Sequence, residues 1–180
     1  MCPPPHAHAL ARTDGEGRRA LPEVLVQMDG YAVRGLQPGQ VQYLYAKDHL
    51  NPTYEYGVTF ERGTAVTYGD RRHVFISGTA SIDDKGRVLH EGDIKAQTLR
   101  MLENISALLA EADCTMNDIA SAIVYLRDTA DADTVSRLLD SELPSLNYVL
   151  VLAPVCRPTW LVEMECIAIK EVSKPEYPNF

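Results

Sequence analysis

The chain of 180 residues carries 17 lysines and arginines against 25 aspartates and glutamates, a formal charge of -8. That length allows one domain with a real core, and that charge sets net repulsion against nucleic acid unless a local basic patch exists. The only basic pairs, Arg18-Arg19 and Arg71-Arg72, lack a helical or aromatic framework, and no apolar run approaches the roughly 18 residues of a membrane span, so neither nucleic acid nor a membrane is an expected partner.

Residues 1–20 are rich in proline, glycine, alanine and charge without periodicity, which predicts a flexible N-terminal arm. The arm has no hydrophobic signal core, so a cytoplasmic protein is expected. None of the four cysteines (Cys2, Cys114, Cys156, Cys166) forms a C-x-x-C pair, and free thiols are expected. His6 and His8 lie in the arm, and no clustered ligand spacing occurs elsewhere, so no structural metal is expected.

Residues 21–59 read as an N-terminal extension with a strand candidate over 41–46 and an ordered loop over 49–59, where Asn51-Pro52 and Gly57 break the pattern. The compact part spans 60–180. Residues 63–68 alternate as a strand, 69–72 turn, and 73–79 form a second strand of a hairpin. Gly78 interrupts that strand, which fits either a close approach of backbone or ligand or a plain β-bulge.

Asp93 caps a helix running to Ala112, with Met101, Leu102, Ile105, Leu108, Leu109 and Ala112 forming one apolar stripe. Thr115-Met116-Asn117-Asp118 reads as a capping box opening a short turn. A strand over 120–127, a second helix over 131–143 with Val135, Leu138 and Leu139 inward, and a strand over 147–153 follow. The last of these is apolar on both faces, and a small sheet with helices on one side cannot bury both; a second copy of the chain is the economical cover. The fold class is therefore α+β, a mixed sheet with two helices on one face.

The final strand reads Trp160-Leu161-Val162-Glu163-Met164-Glu165-Cys166-Ile167-Ala168-Ile169 after the turn Cys156-Arg157-Pro158. Alternation gives one uncharged face and one face on which Glu163 and Glu165 stand among Leu161, Ile167 and Ile169. A carboxylate set into an apolar face calls for a cation, a shared proton or a ligand. Ion pairing with a neighbouring strand and a functional site both satisfy that requirement.

Phe75-Ile76-Ser77-Gly78-Thr79-Ala80, Gly92-Asp93, Gln97-Thr98, Asn104-Ile105 and Val162-Glu163-Met164-Glu165-Cys166-Ile167-Ala168 together resemble the Rid family, also called YjgF or endoribonuclease L-PSP. The resemblance implies a chorismate-mutase-like (ferredoxin-like) fold, a homotrimer whose sheets form a central barrel, and small-molecule clefts between subunits. It implies cofactor-free hydrolysis of enamines and imines, with Glu163 matching the residue that handles the attacking water. Leu146 stands where the deaminases have their carboxylate-holding arginine, and Phe60 where they have a tyrosine. Thr59-Phe60-Glu61-Arg62-Gly63, Ser77-Gly78-Thr79-Ala80-Ser81, Tyr125-Leu126-Arg127 and Val155-Cys156-Arg157-Pro158 also resemble the C-terminal half of chorismatases, which release pyruvate from chorismate without a cofactor. That likeness implies a carboxylate-binding cluster of Arg62, Arg127 and Arg157. The candidate site is thus Glu163 and Arg157 as catalytic groups, with Phe60, Arg62, Ser77, Gly78, Thr79, Arg127, Cys156 and Glu165 lining the pocket for a small carboxylate. Enamine-type hydrolysis, chorismatase-like pyruvate release and metabolite binding without turnover remain the three functional readings.

Overall fold

A computed structural model describes residues 30–180; the predicted arm, with Cys2, His6 and His8, lies outside the described residues. The chain forms strands β1 (Val41–Leu44), β2 (Gly63–Thr67) and β3 (Arg71–Ala80), helix α1 (Ile94–Glu111), strand β4 (Ile119–Leu126), helix α2 (Ala132–Glu142), and strands β5 (Tyr148–Leu152) and β6 (Val162–Glu171). They build one six-stranded mixed sheet in the order β1-β2-β3-β6-β4-β5. β6 runs antiparallel to both β3 and β4, while β5 joins β4 in parallel across α2. The α+β class with a mixed sheet and two helices is as the sequence implies.

Three boundaries differ from the sequence reading. The extension contributes a sheet strand, because Val41 to Leu44 pair with Val66 to Gly63. That strand stops at Leu44 rather than Ala46: the Tyr45 and Ala46 amides donate to the Glu111 carboxylate at 2.7 and 2.9 Å, and Ala46 has a φ of 46°. The β2–β3 turn is confined to Gly69-Asp70, since Thr67 already pairs with Arg72. Finally, β6 begins at Val162. Trp160 belongs to a turn whose amide donates to the Arg157 carbonyl at 3.0 Å, and the Leu161 amide donates to the Gln97 side chain.

The predicted caps are present. Asp93 Oδ1 accepts the Ala96 amide at 3.0 Å, and Thr115 and Asp118 form a reciprocal capping box. The apolar stripe of α1 is buried against β3 and β6, together with Val135 and Leu139 of α2, Val124 of β4 and Met164 of β6. Leu138 is half-buried.

Register assigns the opposite sheet face. Glu163, Glu165 and Ile167 of β6 lie beside Tyr125, Ile123 and Ser121 of β4, and Val149 and Val151 of β5 continue the row. On the other side Ala80 and Phe75 of β3 stand beside Glu163 and Ile167. Among the described residues no helix covers this row, and Ile167, Ile169 and Val149 are 37%, 42% and 56% exposed. The predicted two-sided apolar character of β5 is visible as an exposed Val149 with Leu150 packed on the core.

Candidate active site

The chemistry-bearing residues of the uncovered face come from adjacent strands. Glu163 is buried to 3% exposure although Ile167 and Ile169 of the same row are open. Glu165, half-buried, accepts a hydrogen bond from the Tyr125 hydroxyl to Oε1 at 3.0 Å. Burial, then the charge and hydrogen bond of Glu165, then the charge of Glu163, push the Tyr125 phenol well above its ordinary range. Tyr125 therefore remains a protonated donor between two carboxylates. Cys166 faces the helices instead, and burial, with Glu165 nearby, pushes its thiol up to about 12.

Across β6 from Glu165, the pairing of β3 slips by one residue between Ile76 and Thr79. Of the two readings of Gly78, the bulge is what the backbone contains. It turns Ser77 toward the preceding loop: the Ser77 amide donates to the Arg62 carbonyl at 3.0 Å, and its hydroxyl donates to the Glu61 carbonyl at 2.5 Å. Thr79, also buried, donates its hydroxyl to the Ser77 carbonyl at 2.9 Å. The bulge thus joins the acidic row to the loop carrying Phe60 and Arg62.

Arg62 is 4% exposed. Its Nη2 donates to the carbonyl and side-chain oxygens of Asn51 at 3.0 and 3.1 Å, and its guanidinium lies 5.5 Å from the Phe60 ring centre. Asn51 in turn abuts Gly86, whose φ is +70°; a Cβ there would stand 2.7 Å from Asn51 Nδ2. Only glycine fits that approach in that conformation. The Gly86 carbonyl accepts from Arg157 Nη1 at 2.7 Å, and the Arg157 guanidinium sits 5.1 Å from the Trp160 ring centre. One turn, 83–87, therefore supports two of the three candidate arginines. The carboxylate of Asp83 organises that turn by accepting the Lys85 and Arg87 amides and the Arg87 guanidinium.

Arg127 is placed differently. Its Nε donates to the Trp160 carbonyl at 2.8 Å, and its Nη2 to the carbonyls of Val155 and Arg157 at 2.8 and 2.7 Å. It ties down the loop that presents Arg157. Cys156 is exposed on that loop. Leu146 packs against the core beside α2.

Sequence reasoning did not select Tyr125, Asn51, Gly86 or Asp83. Tyr125 becomes meaningful only through the β4–β6 register. Asn51 and Gly86 meet across segments distant in sequence, whereas Asp83 acts inside its own turn, on Lys85 and Arg87. Among the described residues there is no group of three or more histidine, cysteine, aspartate or glutamate side chains that could hold a metal ion. Among them, too, no helix is long and apolar enough to cross a membrane.

The class the fold defines is an α+β domain with two helices on one face of a mixed sheet and a buried carboxylate on the other. The family described as Endoribonuclease L-PSP matches residues 63–170, and the chain belongs to that family, the Rid or YjgF proteins. A RutC family protein of Pyrococcus abyssi is 36% identical over 100 residues, covering 54% of this chain and 79% of the relative. A 3-aminoacrylate deaminase, RutC of Acinetobacter baylyi, is 30% identical over 98 residues, covering 53% and 77%. Among solved structures, RidA of the Antarctic bacterium Psychrobacter sp. PAMC 21119 superposes with a TM-score of 0.59 at 26% identity, over 71% of this chain and 98% of that one. A chorismatase superposes with a TM-score of 0.63 at 24% identity, over 72% of this chain but 44% of the chorismatase, a likeness of fold.

Proposed function

We propose that the chain is a cofactor-free enzyme acting on a small carboxylate-bearing metabolite, in a cleft completed by neighbouring copies of a homotrimer. The observation that carries this reading is Glu163, nearly fully buried on a sheet face that leaves Ile167, Ile169 and Val149 open. In this reading Glu163 is the general acid and base, Tyr125 and Glu165 hold its surroundings, and Arg157 anchors the substrate carboxylate. Ser77, Gly78 and Thr79 supply the backbone of the pocket wall, with Phe60 and Cys156 beside it. The exposed row of Ile167, Ile169 and Val149 supports assembly through this face. Light scattering is expected to give three times the 20.0 kDa mass of the chain; a monomer at micromolar concentration would remove the intersubunit cleft.

A second reading has its own support. Arg62 and Arg157 both rest on the turn 83–87, and two guanidiniums suit a substrate with two carboxylates. That arrangement favours pyruvate release from chorismate over enamine hydrolysis.

The test follows ammonia and pyruvate with 3-aminoacrylate, a 2-aminoacrylate-type imine and chorismate as substrates. Because Leu146 replaces the deaminase arginine, imine hydrolysis is expected to be weak. Glu163→Gln keeps the shape, removes the acid, and is expected to lower turnover of the accepted substrate roughly 100- to 10,000-fold. Wild-type turnover by this variant would overturn the assignment, and binding without product over hours would identify a metabolite sensor instead.

A further inference from the structure

The extension and the two residues that precede β2, Glu61 and Arg62, line a cleft of about 490 Å3. Its lining residues all lie before 63, ahead of the stretch 63–170 that the family model matches. Leu50 and Pro52 give it an apolar wall, and Tyr45 and Tyr54 line its mouth at 43% and 77% exposure. Two large rings left open beside a concave apolar surface are the usual dress of a ring-binding site. Two cations, Lys47 and the buried Arg62, face one anion, Glu61. Lys47 Nζ lies 5.5 Å from the Tyr45 ring centre, so a charge and a ring are already paired at the entrance. Burial, then the charge of Glu61, then that of Glu111, raise the Tyr45 hydroxyl above its ordinary value, which keeps it a hydrogen-bond donor.

The cleft is not an accident of a loose loop. Its floor is set by the Arg62–Asn51 bonds, and Thr53 Oγ1 donates to the Phe60 carbonyl at 2.9 Å, closing the segment on itself. The volume falls in the range of pockets that hold ring-sized ligands, whereas a three-carbon acid would leave most of it empty.

We infer that this cleft binds a ring-bearing carboxylate, the ring lying between Tyr45 and Tyr54 and the carboxylate facing Lys47 on the Arg62 side. The inference deepens the reading above, in that the cleft abuts the bulge opposite Glu165 and would select the substrate of that site. The extension, absent from the matched stretch, is then the specificity element of this chain.

Titration calorimetry of the full chain with benzoate, benzyl alcohol and acetate tests the inference. Benzoate joins a ring to a carboxylate, and the other two each lack one part. Benzoate is expected to bind about tenfold more tightly than either. Lys47→Gln should reduce benzoate to the level of benzyl alcohol, and Tyr54→Ala should bring it towards acetate. Both side chains are exposed, so both variants should keep the wild-type circular dichroism spectrum. Benzoate binding no tighter than acetate, or unchanged by Lys47→Gln, overturns the inference whatever Glu163 does. Benzoate binding as described together with wild-type turnover by Glu163→Gln overturns the catalytic reading and leaves the cleft standing.

Discussion

The two faces of β6 differ in what surrounds them rather than in what they are made of. Val162, Met164, Cys166 and Ala168, between 0% and 4% exposed, meet the helices, while Ile167 and Ile169 of the alternate row remain 37% and 42% exposed. On the covered face, shape complementarity decides stability. On the uncovered face the only deeply buried side chain of β6 is a carboxylate. A row that leaves its isoleucines open yet buries Glu163 has placed its polar group by design of the neighbouring strands, not by general collapse. Under the proposed function the covered face reports on folding and the uncovered face on assembly and chemistry.

Substitutions on the two faces separate these roles. Met164→Ala, at a fully buried position, is expected to cost about 2–5 kcal/mol in urea unfolding. Ile167→Asp is expected to leave the chain folded by circular dichroism but to reduce the light-scattering mass to one chain, because it sets a charge into the row proposed to meet other copies. Equal loss of stability from both substitutions would erase the distinction.

The arginines divide in a similar manner. Arg157→Ala is expected to abolish binding of small carboxylates beside Glu163 while leaving benzoate in the Tyr45–Tyr54 cleft, since a carboxylate buried without its cation loses roughly 2–5 kcal/mol. Leu146→Ala, which trims a core-packed leucine, should leave that binding mostly intact at a modest cost in stability. Robust imine deamination unaffected by Arg157→Ala would show that the anchor lies elsewhere.

What could be read from the sequence follows from the range of the interactions. The α1 stripe, its Asp93 cap, the Thr115–Asp118 box and the alternation of β6 depend on neighbours within a few residues, and periodicity displays them. The mixed sheet and Glu163 as a position of interest also follow from patterning, and the family resemblance adds the chorismate-mutase-like arrangement and a role for Glu163. The β4–β6 register, which sets Tyr125 against Glu165, is long-range and has no local signature. The same is true of the bonds from Arg127 to three carbonyls of the 155–160 loop. The ends of β1 and β6 moved because side chains of α1 compete for backbone amides there, Glu111 for those of Tyr45 and Ala46 and Gln97 for that of Leu161. A strand pattern cannot foresee a competitor that lies more than 60 residues away.

The smallest expected effect tests the turn beneath the two arginines. Burial works to raise the Asp83 carboxyl, but the Arg87 side chain and the backbone amides of Arg87 and Lys85 outweigh it and hold the group at about 2, below the ordinary 3.8. A depressed carboxyl contributes stability that is present above its unfolded value and lost as the pH falls through its folded value. The turn should thus be intact above pH 3.8 and loosen towards pH 2. Gly86 lies inside this turn, so its loosening should release both the Asn51 contact beneath Arg62 and the carbonyl that accepts from Arg157. Amide hydrogen exchange at Lys85 and Arg87 is expected to accelerate across that window before the sheet amides of β3 and β6 respond. In Asp83→Asn, which keeps an acceptor but removes the charge, the acceleration should already be present at neutral pH and should not change with acid. Exchange at these two amides that follows the sheet amides at every pH would mean that Asp83 does not hold the turn.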